Sequence, residues 1–226
     1  MIRFLLRLIT KLIGEERLLY YAAGEFNRRI FGLKHYGYLH DEGWITSFKT
    51  KTAIDKNGEP MPWLSYPLLD FLKPRLNNNM VLFEYGGGNS TLFYSNHVKE
   101  VYTVESDKQW YEIIKNPAKQ NTHIYYEPID ETPVEYIEKP GKLNKKFHLI
   151  IVDGMNRNEC LLFCKDQLEA NGVIIADDTN QYNYGSALAE IEKMGFKRLD
   201  FWGIASFVID KKSTTIFYRE NNCLGI

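Results

Sequence analysis

From residue 80 to the end, short apolar runs alternate with amphipathic stretches. Met80 to Phe83 is apolar throughout and too short for a helix, which suits a strand buried on both faces. The same reading predicts strands at 80–85, 98–105, 122–126, 147–152 and 172–176. It predicts helices at 90–96, 108–115, 131–138, 156–170 and 184–194. Strand and helix in alternation predict an α/β fold, a doubly wound and mostly parallel sheet with helices on both faces. Phe196 to Phe201 and Ser213 to Arg219 are rich in aromatic and β-branched residues and predict two more strands, for a seven-stranded sheet. Residues 202–212 are compatible with strand or loop.

The first 75 residues follow another pattern. Residues 2–13 predict an amphipathic helix, with Arg3, Arg7 and Lys11 on one stripe and Leu5, Leu8, Ile9 and Leu12 opposite. Such a helix fits a membrane surface, or packing on the domain or on a second subunit; packing is the favoured expectation. Residues 36–66 are rich in Gly, His, Trp, Tyr and Pro and show little periodicity. Lys56, Asn57 and Gly58 mark a turn, and Pro60 and Pro62 break regular structure. A segment of this kind reads equally as a functional cover or as a packing strap. Ser65 fits an N-cap, with Pro67 in the first turn, for a helix to about Leu72 that Lys73 and Pro74 end. The expected division is a helical and irregular N-terminal cover over 1–75 and a main domain over 76–226.

Composition narrows the classes. A hydrophobic content of 44% supports a proper core, and a net charge of −1 offers no grounds for a nucleic-acid partner. Three cysteines make no disulfide framework. Cys160 and Cys164, four apart on one helix face, read as buried thiols of a reducing, cytoplasmic protein. No apolar run of about 18 residues predicts a membrane-spanning helix. Arg7 and Lys11 interrupt the N-terminal apolar stretch and no small-residue cleavage site follows, so it makes a poor signal peptide.

The candidate chemistry begins where the first strand ends. Glu84 precedes Gly86, Gly87 and Gly88, and Asn89, Ser90 and Thr91 open a helix. Glycines at a strand-to-helix turn let the backbone approach a ligand, and nucleotide-type cofactors bind at such turns. The second strand ends in Glu105, about 20 residues after the first glycine, the spacing at which a carboxylate meets ribose hydroxyls. Two cofactors fit: a nicotinamide dinucleotide and S-adenosylmethionine. Thr91 stands where the dinucleotide fingerprint has its third glycine or alanine, and the acidic Glu84 suits a cationic amino-acid moiety better than a pyrophosphate. Both features favour S-adenosylmethionine.

With these residues the chain resembles the class I S-adenosylmethionine-dependent methyltransferases. The resemblance rests on E-Y-G-G-G-N-S-T (Glu84–Thr91), V-E-S-D (Val104–Asp107), I-I-V-D-G (Ile150–Gly154) and G-V-I-I-A-D-D (Gly172–Asp178), and spans roughly residues 80–220. More narrowly it resembles small bacterial methyltransferase-like proteins, through P-W-x-x-Y-P at Pro62–Pro67 and S-T-x-I-F-x-R-x-N at Ser213–Asn221. It implies a Rossmann-like sheet with an antiparallel edge strand. It also implies cofactor contacts from Glu84, Gly86, Gly88, Asn89, Ser90, Thr91, Glu105 and Asp153, and from Asp130 near the adenine. Asp107 and Trp110 are weaker candidates.

Asp153, Asp177 and Asp178 end the fourth and fifth strands and are expected to converge. Three carboxylates can hold Mg²⁺, and one branch of the resembled class, the catechol-type O-methyltransferases, uses Asp after the fourth strand and Asp-Asn after the fifth. Asp-Asp stands here instead, so a metal is one option and a cofactor or capping role for these acids the other. Without a metal, Asp178, Asp153 or His97 is a candidate general base, with His148 and His40 behind them. Arg157 reads as a grip for an anionic acceptor group or as a surface ion pair. Trp44, Trp63, Tyr66, Tyr182 and Tyr184 crowd the expected mouth, and Asn180, Gln181 and Asn183 add hydrogen-bonding capacity. From these, Trp63, Tyr66, Arg157 and Asn180 are the candidate acceptor residues. The expected activity is O-methylation of a small-molecule or glycan hydroxyl. The alternatives are an NAD-dependent oxidoreductase and a catalytically silent cofactor-binding protein.

Overall fold

A computed structural model describes residues 9–14, 17, 18, 20, 23–129, 132–181 and 184–226. Residues 9–13 are helical, and the remainder of the expected 2–13 helix lies outside the described residues. Residues 17, 18 and 20 are helical too, and then come α1 (Glu25–Gly32), α2 (Tyr38–Asp41), α3 (Trp44–Thr50) and α4 (Tyr66–Leu72). Helices α2 and α3 occupy the stretch expected to be irregular. Each starts after a glycine at positive φ, Gly37 (86°) and Gly43 (80°), and neither is long enough to repeat an apolar stripe. Ser65 is the N-cap position of α4, but its hydroxyl donates to the Phe201 carbonyl at 3.2 Å rather than capping the helix.

The main domain runs β1 (Val81–Tyr85), α5 (Asn89–Ser95), β2 (Glu100–Glu105), α6 (Lys108–Lys115), β3 (Thr122–Tyr126), α7 (Val134–Ile137), α8 (Lys139–Lys142), β4 (Phe147–Val152), α9 (Arg157–Cys164), β5 (Leu168–Ala176), α10 (Ala187–Lys193), β6 (Lys197–Ala205) and β7 (Val208–Tyr218). The sheet order is β3-β2-β1-β4-β5-β7-β6. Strands β1 to β5 pair in parallel, while β7 runs antiparallel to both β5 and β6. This is the expected Rossmann-like α/β sheet with an antiparallel edge hairpin.

The differences lie in boundaries. The helix expected over 156–170 stops at Cys164; a 3₁₀ turn, Lys165–Gln167, then leads into β5 at Leu168. The undecided 202–212 segment is strand on both sides of a turn at Ser206 and Phe207, with Phe207 at φ 48°.

Successive residues of the central strands point to opposite faces, and both faces are covered. Leu82, Leu149, Ile151 and Ile175 pack with Leu68, Leu72 and Tyr94 of α4 and α5. Phe83, Ile150, Val152 and Ile174 pack on the other side with Cys160, Leu161 and Ile191 of α9 and α10. Two-sided burial is why these strands read as unbroken apolar runs. All three cysteines are free, with Cys160 and Cys164 buried. No described helix is long and apolar enough to cross a membrane.

Candidate active site

The strand order reverses between β1 and β4, where β1's connection leads to one side and β4's to the other. Parallel register aligns Tyr85 with Val104 on β2 and with Val152 on β4, and Val152 with Ala176 on β5. The residues just beyond these pairs therefore share one edge: Gly86, Glu105, Asp153 and Asp177. A crevice of about 870 Å³ opens over that edge. Open α/β sheets bind ligands at this place, and sites for small molecules span roughly 300–1,000 Å³.

The crevice floor needs glycine. Gly86 has φ +85°, and a Cβ there would lie 2.6 Å from the Cα of Gly154. A Cβ on Gly154 would in turn strike the Tyr136 hydroxyl. The two turns thus touch backbone to backbone, leaving room for a ligand above.

Glu105 is 7% exposed and lines the crevice. Its carboxylate accepts from the amides of Gly87 (2.7 Å), Ser106 (2.8 Å) and Asp107 (2.7 Å). Three amide bonds orient the group and leave about one of its roughly four lone-pair positions open to a ligand. Burial raises its pKa against the pull of those amides. Asp107 itself caps α6 through the amides of Gln109 and Trp110. Trp110, half exposed, and Ile129 line the same end of the crevice.

Glu84, by contrast, lies beneath the glycine turn and is fully buried. Its Oε2 accepts from the hydroxyls of Thr91 (2.6 Å) and Thr103 (3.1 Å), and its Oε1 has no hydrogen-bond partner. Burial pushes its pKa up to about 7 against the nearby hydroxyls of Ser90, Thr91 and Thr103. It buttresses the turn instead of bordering the crevice. Thr91, also buried, both donates to Glu84 and accepts from the Gly88 amide at 3.2 Å. Gly86, Gly88, Asn89 and Ser90 do line the crevice. Asn89 also donates to the Ala53 carbonyl at 2.7 Å, which ties the cover to the glycine turn. Asp130 lies outside the described residues.

The three aspartates converge as expected, each offering an oxygen within 4.8 Å of the others. They meet two buried cations. Arg157 pairs with Asp153 Oδ1 at 3.0 Å and Asp178 Oδ2 at 3.4 Å. Its remaining N–H groups donate to the carbonyls of Gly154, Asp177 and Asp153. With these bonds Arg157 braces the strand ends from the crevice wall. Lys212 lies 2.6 Å from Asp177 Oδ2 and 2.9 Å from Asp178 Oδ1, and donates to the Trp63 carbonyl at 3.3 Å. Asp177 Oδ1 accepts from the Thr214 hydroxyl at 2.5 Å. Five of the six carboxylate oxygens are thus taken, leaving Asp153 Oδ2. Mg²⁺ requires oxygen ligands in octahedral array; this set is already ion-paired and does not fit it.

Burial, together with the charge of Asp177, raises the pKa of Asp153 well above the ordinary aspartate value. Burial also raises that of Asp177, against the nearby Lys212 ammonium. For Lys212 burial works against the charged form, but Asp177 and Asp178 outweigh it and hold the pKa above the ordinary lysine value. Sequence reasoning missed Lys212. A signal existed: in β7 it falls on the same face as Thr214 and Ile216, both buried.

Other expected site residues lie elsewhere. His97 sits beyond the far end of α5, stacked on Phe93 and bonded to that residue's carbonyl, in a separate groove of about 540 Å³. Helix α5 runs away from the glycine turn, so its last turn cannot reach the crevice. Tyr66 is fully buried with its hydroxyl near Ser206, and Asn180 is spent on the backbone of Lys211 and Ser213. His148 accepts from the Val81 amide, and His40 pairs with Asp41. Trp44 donates to the Val208 carbonyl and Tyr184 is buried under Asp177. Tyr182 and Asn183 lie outside the described residues. Trp63 does line the crevice, 46% exposed and 4.5 Å from the ring of Phe207. With Lys51, Thr52, Ala53 and Met61 it makes the cover one wall.

No protein-family model matches the chain, and no curated protein matches it in sequence. Solved structures do match. Precorrin-6y C5,15-methyltransferase from Geobacter metallireducens aligns with TM-score 0.54 and 14% identity over 68% of this chain and 87% of that one. Spermidine synthase from Thermotoga maritima gives 0.51 and 18% over 71% of this chain and 58% of that one. At these identities the likeness is one of fold, a Rossmann-like α/β sheet. A methyltransferase-like protein from Silicibacter pomeroyi shares this fold as well, with TM-score 0.50 and 19% identity over 70% of this chain and 89% of that one.

Proposed function

We propose that this chain is an S-adenosylmethionine-dependent methyltransferase that O-methylates a small-molecule or glycan hydroxyl. The observation that carries the reading is Glu105, held by three amides at the crevice edge beside the Gly86–Gly88 turn. A carboxylate fixed there suits a ribose diol, and a Cβ-free turn suits close approach of the rest of the cofactor.

In this reading Gly86, Gly87 and Gly88 hold the amino-acid portion, Glu105 the ribose, and Trp110 and Ile129 flank the base. The cofactor supplies an electrophilic methyl group on a sulfonium. The chain's task is to orient the acceptor and take its proton. Asp153 is the first candidate for that proton: it lines the crevice, and its Oδ2 is the carboxylate oxygen of the trio without a bond. Asp178 lines the crevice too, but both of its oxygens face cations. Trp63 and Phe207, with Gln181, line the mouth and support an acceptor with a sugar-like face.

Titration calorimetry tests the cofactor. Saturable heat with S-adenosylhomocysteine and none with NAD is expected; binding of NAD alone overturns the reading. Transfer of labelled methyl to a panel of glycans and small alcohols tests the acceptor class. Label that appears only on nitrogen or carbon acceptors would refute O-methylation.

A further inference from the structure

We infer that Lys212 is a built-in counter-cation that occupies the role of a metal ion, so that the acceptor side of the crevice works without one. The three carboxylates at this corner are the kind of cluster that draws a divalent cation. Here their charge is met from within. The Lys212 side chain is 7% exposed, and its ammonium sits between Asp177 Oδ2 (2.6 Å) and Asp178 Oδ1 (2.9 Å). Arg157, 9% exposed, bridges the other side, from Asp178 Oδ2 to Asp153 Oδ1. Three carboxyl groups face two positive charges, the number that one divalent ion would bring. A metal would have to expel the ammonium before it could reach Asp177.

Lys212 also does what a free ion would not. Its third contact is the Trp63 carbonyl at 3.3 Å, in the cover. One side chain on β7 therefore fixes the end of β5 and the wall that faces it. Two residues along, Thr214 holds the other oxygen of Asp177 and accepts from the amide of Ser65, again in the cover. The antiparallel hairpin thus delivers the cation and the strap together. Lys212 is a positioning residue: it acts through Asp177, Asp178 and the cover.

This inference concerns the carboxylates alone and does not rest on the cofactor, so a chain that failed to bind S-adenosylhomocysteine would leave it standing. The test is Mn²⁺ binding, followed by electron paramagnetic resonance of the free ion, on wild type, Lys212→Met and Lys212→Ala. Wild type is expected to take up no Mn²⁺ at this corner. Lys212→Met keeps the stem's volume and uncovers two carboxylates. It is expected to bind one Mn²⁺ per chain, roughly 100-fold or more tighter than wild type, the order expected when a buried carboxylate pair loses its cation. Its melting temperature should rise with added Mn²⁺ while that of wild type stays put. The smaller Lys212→Ala should behave alike. Two results overturn the inference. One is a wild-type Mn²⁺ site, one per chain, that Asp178→Asn abolishes; this arm needs no Lys212 variant to fold. The other is a folded Lys212→Met, with native circular dichroism, that binds Mn²⁺ no better than wild type.

Discussion

Replacing Glu84 by glutamine should remove a pH dependence that the fold creates. Glu84 is fully buried, and its pKa rises from the ordinary 4.5 to about 7 because burial penalises the carboxylate more than the neighbouring hydroxyls of Ser90, Thr91 and Thr103 support it. The folded state therefore binds the proton more tightly than the unfolded state. For a raised pKa, the stabilising contribution is complete below the unfolded value and is lost as pH rises through the folded one. Wild type should lose about 3 kcal/mol from this group between about pH 4.5 and pH 8, at ~1.4 kcal/mol for each pH unit within the window. Glutamine stays neutral throughout. Its carbonyl can accept the Thr91 and Thr103 hydroxyls, and its amide would lie where Oε1 has no partner. That leftover amide costs about 1–3 kcal/mol, but at every pH alike. The informative quantity is the stability difference between the two proteins, measured by urea unfolding across the window. It should shift by about 3 kcal/mol in favour of Glu84→Gln as pH rises, or roughly 6–12 °C in melting temperature. Parallel stability curves would refute the reasoning, because they would mean that Glu84 keeps one protonation state throughout.

Three further outcomes follow from the crevice. Glu105→Ala should weaken S-adenosylhomocysteine binding by about 1–3 kcal/mol in calorimetry, the order for a charged hydrogen bond; unchanged affinity would remove Glu105 from the site. Gly86→Ala forces a side chain into φ +85° and against Gly154, so its urea midpoint should fall by the equivalent of about 1–3 kcal/mol, whereas Gly195→Ala, with positive φ but open space, should lose less. A chain lacking residues 1–14 should keep its cofactor affinity, since every crevice-lining residue among the described ones follows Thr50; a large loss would mean that the N-terminal helix shapes the crevice.

What could be read from the residues alone follows from local physics. Strands buried on both faces are continuous apolar runs, so β1, β4 and the core of β5 stand out without any knowledge of their neighbours. A glycine turn announces itself because few residues tolerate φ +85°, and the acids that close β1, β2, β4 and β5 can be placed at one edge once the sheet is taken as parallel. Short elements were less visible: α2 and α3 are too brief to show a period, and β5 begins at Leu168 because a 3₁₀ turn ends α9 early. What each charged side chain does depends on contacts far apart in the chain. Glu84 and Glu105 both read as acids at strand ends, yet Glu84 stops two residues before the turn and points beneath it, while Glu105 is the last residue of β2 and faces the crevice. Lys212 meets Asp177 across 35 residues of sequence. That pairing exists because β7 inserts antiparallel beside β5, with Ala176 opposite Thr215. No spacing along the chain encodes it, because the partner of a buried charge is chosen by strand order and register.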